Sequence, residues 1–159
     1  MTTSTTMNPI AGLLSTDDIL FDEGASTKRE LFEVLGRFLA KRHGLSRLQV
    51  VDSLCARERL GSTGLGNGVA IPHARIAGLV RPVAVIVRTR LAIAFDAPDG
   101  KPVRDLVVLL VPERANEEHL ELLASVAGLL GDREFRARLR NCATPRELAL
   151  LYAGHPDHA

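Results

Sequence analysis

The sequence predicts an α/β fold: a single domain with one β-sheet between helices on both sides. Two observations carry this. The order of signals along the chain is helices, then strands, then helices, with no linker long enough to divide domains. The apolar runs at 83–87 and 106–111 are strand-sized and nearly continuous, which belongs to strands covered on both faces.

The elements follow in order. Ser26 reads as an N-cap before a stripe of Leu31, Leu35, Phe38 and Leu39, ending near His43 with Gly44 as the stop. Ser46 caps a second helix carrying Leu48, Val51, Leu54 and Cys55 into Arg57-Glu58-Arg59. A glycine-rich passage, 61–68, then leads into an extended Val69-Ala70-Ile71-Pro72-His73. Strands are expected over 83–90 and 103–111, with a short one over 92–95 and a tight turn at Asp99-Gly100. Asn116 caps a third helix with Leu120, Leu123, Ala127 and Leu130 on its buried side. Asp132 caps a fourth helix through Leu139, and Thr144-Pro145 opens a fifth that runs to about Tyr152. The domain is expected over 10–154, with 1–9 and 155–159 as flexible tails.

Composition removes several function classes. A formal net charge of +1 gives no basic stripe for a phosphate backbone, so nucleic acid is not an expected partner. Cys55 and Cys142 are too few for a disulfide framework and read as reduced, packed thiols. Residues 1–6 lack the basic and apolar regions of a signal peptide, and no apolar run is long enough to cross a bilayer. The expected location is the cytoplasm.

Among five histidines, His43 suits a helix C-terminus, where a cation complements the dipole, and His155 and His158 fall in the tail. His73 and His119 remain. Pro72 stiffens the backbone leading into His73, and the glycines at 61, 64, 66 and 68 can bring main-chain N–H groups to an anion. His119 occupies the first turn of a helix, whose positive end attracts phosphate and disfavours imidazolium. Taken singly, each feature is weak. A loop histidine is commonly a polar surface residue, Arg-Glu-Arg at a helix end is normally a solvated face, and the glycine passage lacks the Lys-Ser/Thr ending of a Walker A loop. A metal site would need a third protein ligand beside His73 and His119, and none stands at recognisable spacing.

From Gly61 through Ile71-Pro72-His73-Ala74-Arg75, the sequence resembles the IIA domain family of the bacterial phosphotransferase system, nearest its nitrogen-regulatory branch and related to the fructose and mannitol IIA domains. Arg57-Glu58, Ala94-Phe95-Asp96-Ala97 and Leu110-Val111-Pro112 leading to Glu118-His119-Leu120 fit at the family's spacing, so the resemblance covers about 10–152. It implies a mixed five-stranded sheet, a phosphorylated histidine at His73, a second active-site histidine at His119 and an active-site arginine at Arg57. It also implies no cofactor or metal, with phosphoenolpyruvate as the upstream phosphoryl source and a histidine-containing phosphocarrier as the donor. Regulated targets in such a family include potassium-transport systems and sensor kinases. Ala74-Arg75 departs from relatives that carry Gly and then Lys or another residue, and places a fixed charge near the site. Two alternatives stay open: a sugar-specific component feeding a fructose- or mannitol-type permease, and a regulator that binds without being phosphorylated.

Overall fold

The computed structural model describes residues 9–154 except Ala115. The tail expectations for 1–8 and 155–159, His155 and His158 included, lie outside the described residues. After two 3-10 turns (Pro9–Gly12 and Thr16–Asp18) come strand β1 (Ile19–Glu23) and helices α1 (Lys28–His43) and α2 (Arg47–Arg59). Strands β2 (Gly64–Gly66), β3 (Val69–Ala70), β4 (His73–Ile76), β5 (Val83–Ile93) and β6 (Val103–Pro112) follow. Helices α3 (Glu117–Gly131), α4 (Arg133–Asn141) and α5 (Pro145–Tyr152) close the chain.

The strands form one mixed sheet in the order β1-β5-β6-β3-β2, with β4 also beside β6. Six strands occupy five lanes, because β3 and β4 both run parallel to β6 in continuous register, Ala70 against Leu106 and His73 against Leu109. The lane is interrupted at Ile71-Pro72 for a plain reason. Pro72 faces β6 and its carbonyl accepts the Leu109 N–H, but it has no N–H to give in return, while Ile71 faces the other way and donates its N–H to the Thr63 carbonyl.

Alternate residues of β5 and β6 feed two cores, as continuous apolar strands require. Val85, Val87, Val108 and Leu110 pack with Leu31, Leu35, Leu39 and Leu54 of α1 and α2. Ile86, Val107 and Leu109 pack with Leu122, Val126, Leu139 and Leu148 of the C-terminal helices. Buried Arg88 ties the second layer down by donating to Asp105 Oδ1 (2.8 Å) and to the carbonyls of Leu139 and Cys142 at the end of α4. The Leu139 carbonyl also accepts the Cys142 N–H, so Arg88 shares one acceptor with the helix end. Cys55 and Cys142 are both half-buried.

The caps at Ser46, Asn116, Asp132 and Thr144 stand where the sequence places them. The first helix starts one residue later than expected: Thr27, not Ser26, accepts the Glu30 N–H, while Ser26 donates back to the Glu30 carboxylate. Gly44 closes that helix with a φ of 70°, a left-handed conformation that suits glycine. His43, expected to answer the helix dipole, lies 2.9 Å from Asp18 Oδ1 through Nε2. Of the expected short strand at 92–95 only 92–93 is strand, as the end of β5, which continues through a bulge between Arg88 and Ile93.

Two apolar phases are corrected. Leu48 is 67% exposed, and α2 buries Val50, Val51 and Leu54 instead. Leu120 is 62% exposed, and α3 buries Leu122, Val126 and Leu130. Leucines surround α3 on several sides, so two stripes at helical spacing compete, and contact with the sheet decides between them.

Gly36 marks the crossing of α1 over α2: a Cβ there would lie 2.7 Å from Val51 Cγ2 and 3.1 Å from the Arg47 carbonyl oxygen. Gly36→Leu is expected to lower stability by about 2 kcal/mol through overpacking. Urea unfolding reads this as a lower midpoint; an unchanged midpoint would mean that the two helices separate freely.

Candidate functional site

Arg57, His73 and His119 come from three separate elements, the last turn of α2, the first residue of β4 and the first turn of α3. Together with Arg75 they line one cleft of about 660 Å³. The walls are otherwise mainly apolar, and Leu60 and Leu120 stand on it with 84% and 62% of their surface exposed.

The ring of His73 is fixed at both nitrogens. Nδ1 lies 2.8 Å from the Ile71 carbonyl oxygen, and since that oxygen only accepts, Nδ1 carries the proton. Nε2 accepts from the Nε–H of Arg57 at 3.3 Å, so it carries a lone pair. A second Arg57 group, Nη1, donates to the Gly61 carbonyl at 3.0 Å and anchors the guanidinium to the loop. Burial pushes the imidazole pKa below its ordinary 6.5, and the Arg57 charge pushes the same way. The Ile71 carbonyl and the Glu58 carboxylate oppose this without reversing it. His73 is therefore a neutral base at pH 7, with Nε2 unprotonated.

His119 takes the opposite tautomer. It is the third residue of α3 and completes a capping box with Asn116: its N–H donates to Asn116 Oδ1 at 3.1 Å, and its Nδ1 accepts the Asn116 N–H at 3.3 Å. An imidazole stands where Glu or Gln usually closes such a box. Because Nδ1 is the acceptor, the proton sits on Nε2. One histidine thus offers an electron pair and the other an N–H, beside a guanidinium and the positive end of a helix. This set can accept an electrophile at Nε2 of His73 and stabilise negative charge around it.

The glycines behave differently from the expectation of an anion cradle. Gly64 and Gly66 are taken into β2, paired with β3, and the Gly68 carbonyl accepts from the N–H groups of Arg104 and Asp105. None of the glycines at 61, 64, 66 and 68 lines the cleft. The apolar rim was invisible in the sequence: Leu60 follows a charged helix end with no pattern to mark it, and Leu120 reads as core. Among the described residues, no group of three or more His, Cys, Asp or Glu gathers as metal ligands, and no helix is long and apolar enough to cross a membrane.

Residues 12–153 match the family model of the phosphoenolpyruvate-dependent sugar phosphotransferase system, EIIA 2. The nitrogen regulatory protein of Pseudomonas aeruginosa is 43% identical over 125 residues, covering 79% of this chain and 81% of its own. That of Escherichia coli K12 is 34% identical over 163 residues, with both chains covered in full. The crystal structure of nitrogen regulatory protein IIA-Ntr from Neisseria meningitidis superposes with a TM-score of 0.84 at 42% identity, covering 91% of this chain and 99% of that one. IIA mannitol from Escherichia coli, at 23% identity and a TM-score of 0.71, shares the fold. Family model, relatives and fold agree, and the chain belongs to the EIIA 2 family of phosphotransferase-system components, whose role in general terms is phosphoryl transfer.

Proposed function

We propose that the protein is a cytoplasmic phosphocarrier that accepts a phosphoryl group on Nε2 of His73 from a phosphohistidine carrier protein. Its phosphorylation state then sets which partner proteins it binds. The observation that carries this is the pair of opposite tautomers: a held, neutral His73 with its Nε2 lone pair beside Arg57, and His119 with Nε2–H as a donor.

In the step itself, the Nε2 lone pair forms the new N–P bond as the donor's P–N bond breaks, and that bond's electron pair returns to the donor imidazole. The reaction asks little covalent chemistry of the protein, so positioning and charge stabilisation dominate. The proton on Nδ1 stays hydrogen-bonded to Ile71, and the positive charge acquired by the ring is offset by the phosphoryl group. Arg57 must swing from Nε2 toward the phosphoryl oxygens as the bond forms, and its planar fork suits them. His119 Nε2–H donates to another oxygen. Phosphoenolpyruvate is the upstream source, and no bound cofactor is called for.

A phosphoryl group adds roughly two negative charges at the centre of a cleft whose rim is apolar, which is enough to select between partners. Regulated targets of the kind proposed are potassium-transport systems and sensor kinases, in line with the similarity to nitrogen regulatory proteins. Incubation with phosphoenolpyruvate, enzyme I and a histidine phosphocarrier should add one acid-labile phosphoryl group to the intact mass. Failure with every matched donor would leave a binding-only regulator. Sugar-dependent loss of the group to permease membranes would instead indicate a transport component.

His119→Ala should slow transfer about tenfold to a hundredfold while the domain stays folded, since one donor to the phosphoryl group is lost. Unchanged single-turnover kinetics would reduce His119 to a helix cap. The pH dependence follows from His73. Its pKa is lowered, so the neutral nucleophile persists as pH falls from 8 past 6.5 and is lost only below that. Titration of the His73 ring by 1H–15N NMR should show its midpoint below 6.5; a midpoint above it would contradict the assigned environment.

A further inference from the structure

Next to Arg57 on α2, the side chain of Glu58 is 6% exposed and saturated with donors. Its Oε2 accepts from Lys28 Nζ (2.9 Å) and from the Thr63 N–H (2.9 Å), and its Oε1 accepts from the Thr63 hydroxyl (2.7 Å). Lys28 is held in turn by the ring of Phe95, 4.5 Å from its centroid, and by Asp96 at 3.7 Å. Thr63 is itself buried. Its carbonyl accepts the Ile71 N–H at 3.0 Å, and the Ile71 carbonyl accepts Nδ1–H of His73 at 2.8 Å. A continuous chain of hydrogen bonds thus runs from α1 through Glu58, Thr63 and Ile71 to the imidazole. Ile71 faces away from β6, so its N–H and its carbonyl both serve this chain, the one bound to Thr63 and the other to His73.

We propose that Glu58 is a positioning residue of this site: through Thr63 and the Ile71 peptide it holds His73 in the Nδ1–H tautomer with Nε2 open to the cleft. It touches neither His73 nor an incoming phosphoryl group. Its carboxylate accepts both the N–H and the hydroxyl of Thr63 while pairing with the Lys28 ammonium. In Glu58→Gln the new amide can accept at one atom only, and its NH2 faces donors it cannot satisfy. The Thr63 turn then loosens, and the ring loses its fixed acceptor.

Electrostatics and positioning make opposite forecasts, which separates them. The Glu58 carboxylate raises the His73 pKa, so Glu58→Gln enlarges the neutral fraction of the nucleophile. Any slowing of transfer in that variant cannot come from protonation. The kinetic arm rests on the phosphocarrier reading; the tautomer arm does not.

The test compares the wild-type protein with Glu58→Gln, Thr63→Val and Thr63→Ser. Two readouts are taken: single-turnover phosphorylation at saturating carrier, and the His73 tautomer from 1H–15N spectra at pH 8. Expected are a single Nδ1–H tautomer in wild type and Thr63→Ser, a mixture in Glu58→Gln and Thr63→Val, and transfer slowed about tenfold to a hundredfold in those two. A wild-type tautomer in both Glu58→Gln and Thr63→Val overturns the proposal whatever their rates. If Glu58→Gln fails to fold, the Thr63 pair decides, because valine nearly conserves volume and serine restores the hydroxyl. If the wild type accepts no phosphoryl group at all, the phosphocarrier reading falls, and the tautomers alone decide the role of Glu58.

Discussion

His73→Ala is expected to abolish phosphorylation by a phosphohistidine carrier while leaving the domain folded. The side chain is half-buried at the start of β4, and its own bonds reach only the Ile71 carbonyl and Arg57. The parallel pairing of β4 with β6 is made by backbone and survives the substitution. Stability should change by no more than about 2 kcal/mol, the size of two net hydrogen bonds. Loss of transfer should be complete, because among the described residues of the cleft the other side-chain nitrogens are the guanidinium groups of Arg57 and Arg75, which are donors only, and those of His119, whose Nδ1 lone pair is used within the capping box. Intact-mass measurement after incubation with the carrier checks this. Wild-type incorporation in the variant would remove His73 from the acceptor role.

Arg57→Ala should slow transfer by about a hundredfold to a thousandfold, or roughly 3–4 kcal/mol of transition-state stabilisation. Two losses combine. The guanidinium no longer offsets phosphoryl charge, and Nε2 of His73 loses the donor that holds it. The variant carries an independent signature as well. The Arg57 charge pushes the His73 pKa down, so its removal should move that pKa up, against the downward movement expected for Glu58→Gln. Arg57→Lys keeps the charge but cannot bridge Nε2 and the Gly61 carbonyl with one planar group. It should recover only part of the rate. Equal rates in Lys and wild type would show that charge alone matters.

Much of this architecture is written in local signals. Ser46, Asn116, Asp132 and Thr144-Pro145 announce helix starts because a short oxygen-bearing side chain is the cheapest partner for an orphan N–H, and that bond forms within three residues. The strands at 83–93 and 103–112 show through because burial on both faces demands unbroken apolar sequence. β1 does not show. Its five residues are mostly half-covered, and Asp22, at a φ of 58°, breaks its register against β5. The glycine passage misleads because the same residue type serves an anion loop and a tight β2–β3 hairpin.

The site divides along the same line. Local chemistry singles out His73 and His119, and resemblance supplies Arg57. What brings Arg57 Nε within 3.3 Å of His73 is the packing of α2 beside β4, a contact between elements that no local pattern encodes. The opposite tautomers depend on two backbone groups, the Ile71 carbonyl and the Asn116 N–H, whose directions exist only in the fold. The exposed rim of Leu60 and Leu120 is likewise a product of which helix face meets the sheet.

The central claim is that Nε2 of His73 receives the phosphoryl group. The most direct measurement is 31P–15N coupling in the 15N-histidine-labelled protein after phosphorylation by its carrier. The account predicts coupling at Nε2 of His73 alone, with the proton retained on Nδ1. Coupling at Nδ1 of His73, or at either nitrogen of His119, would contradict it.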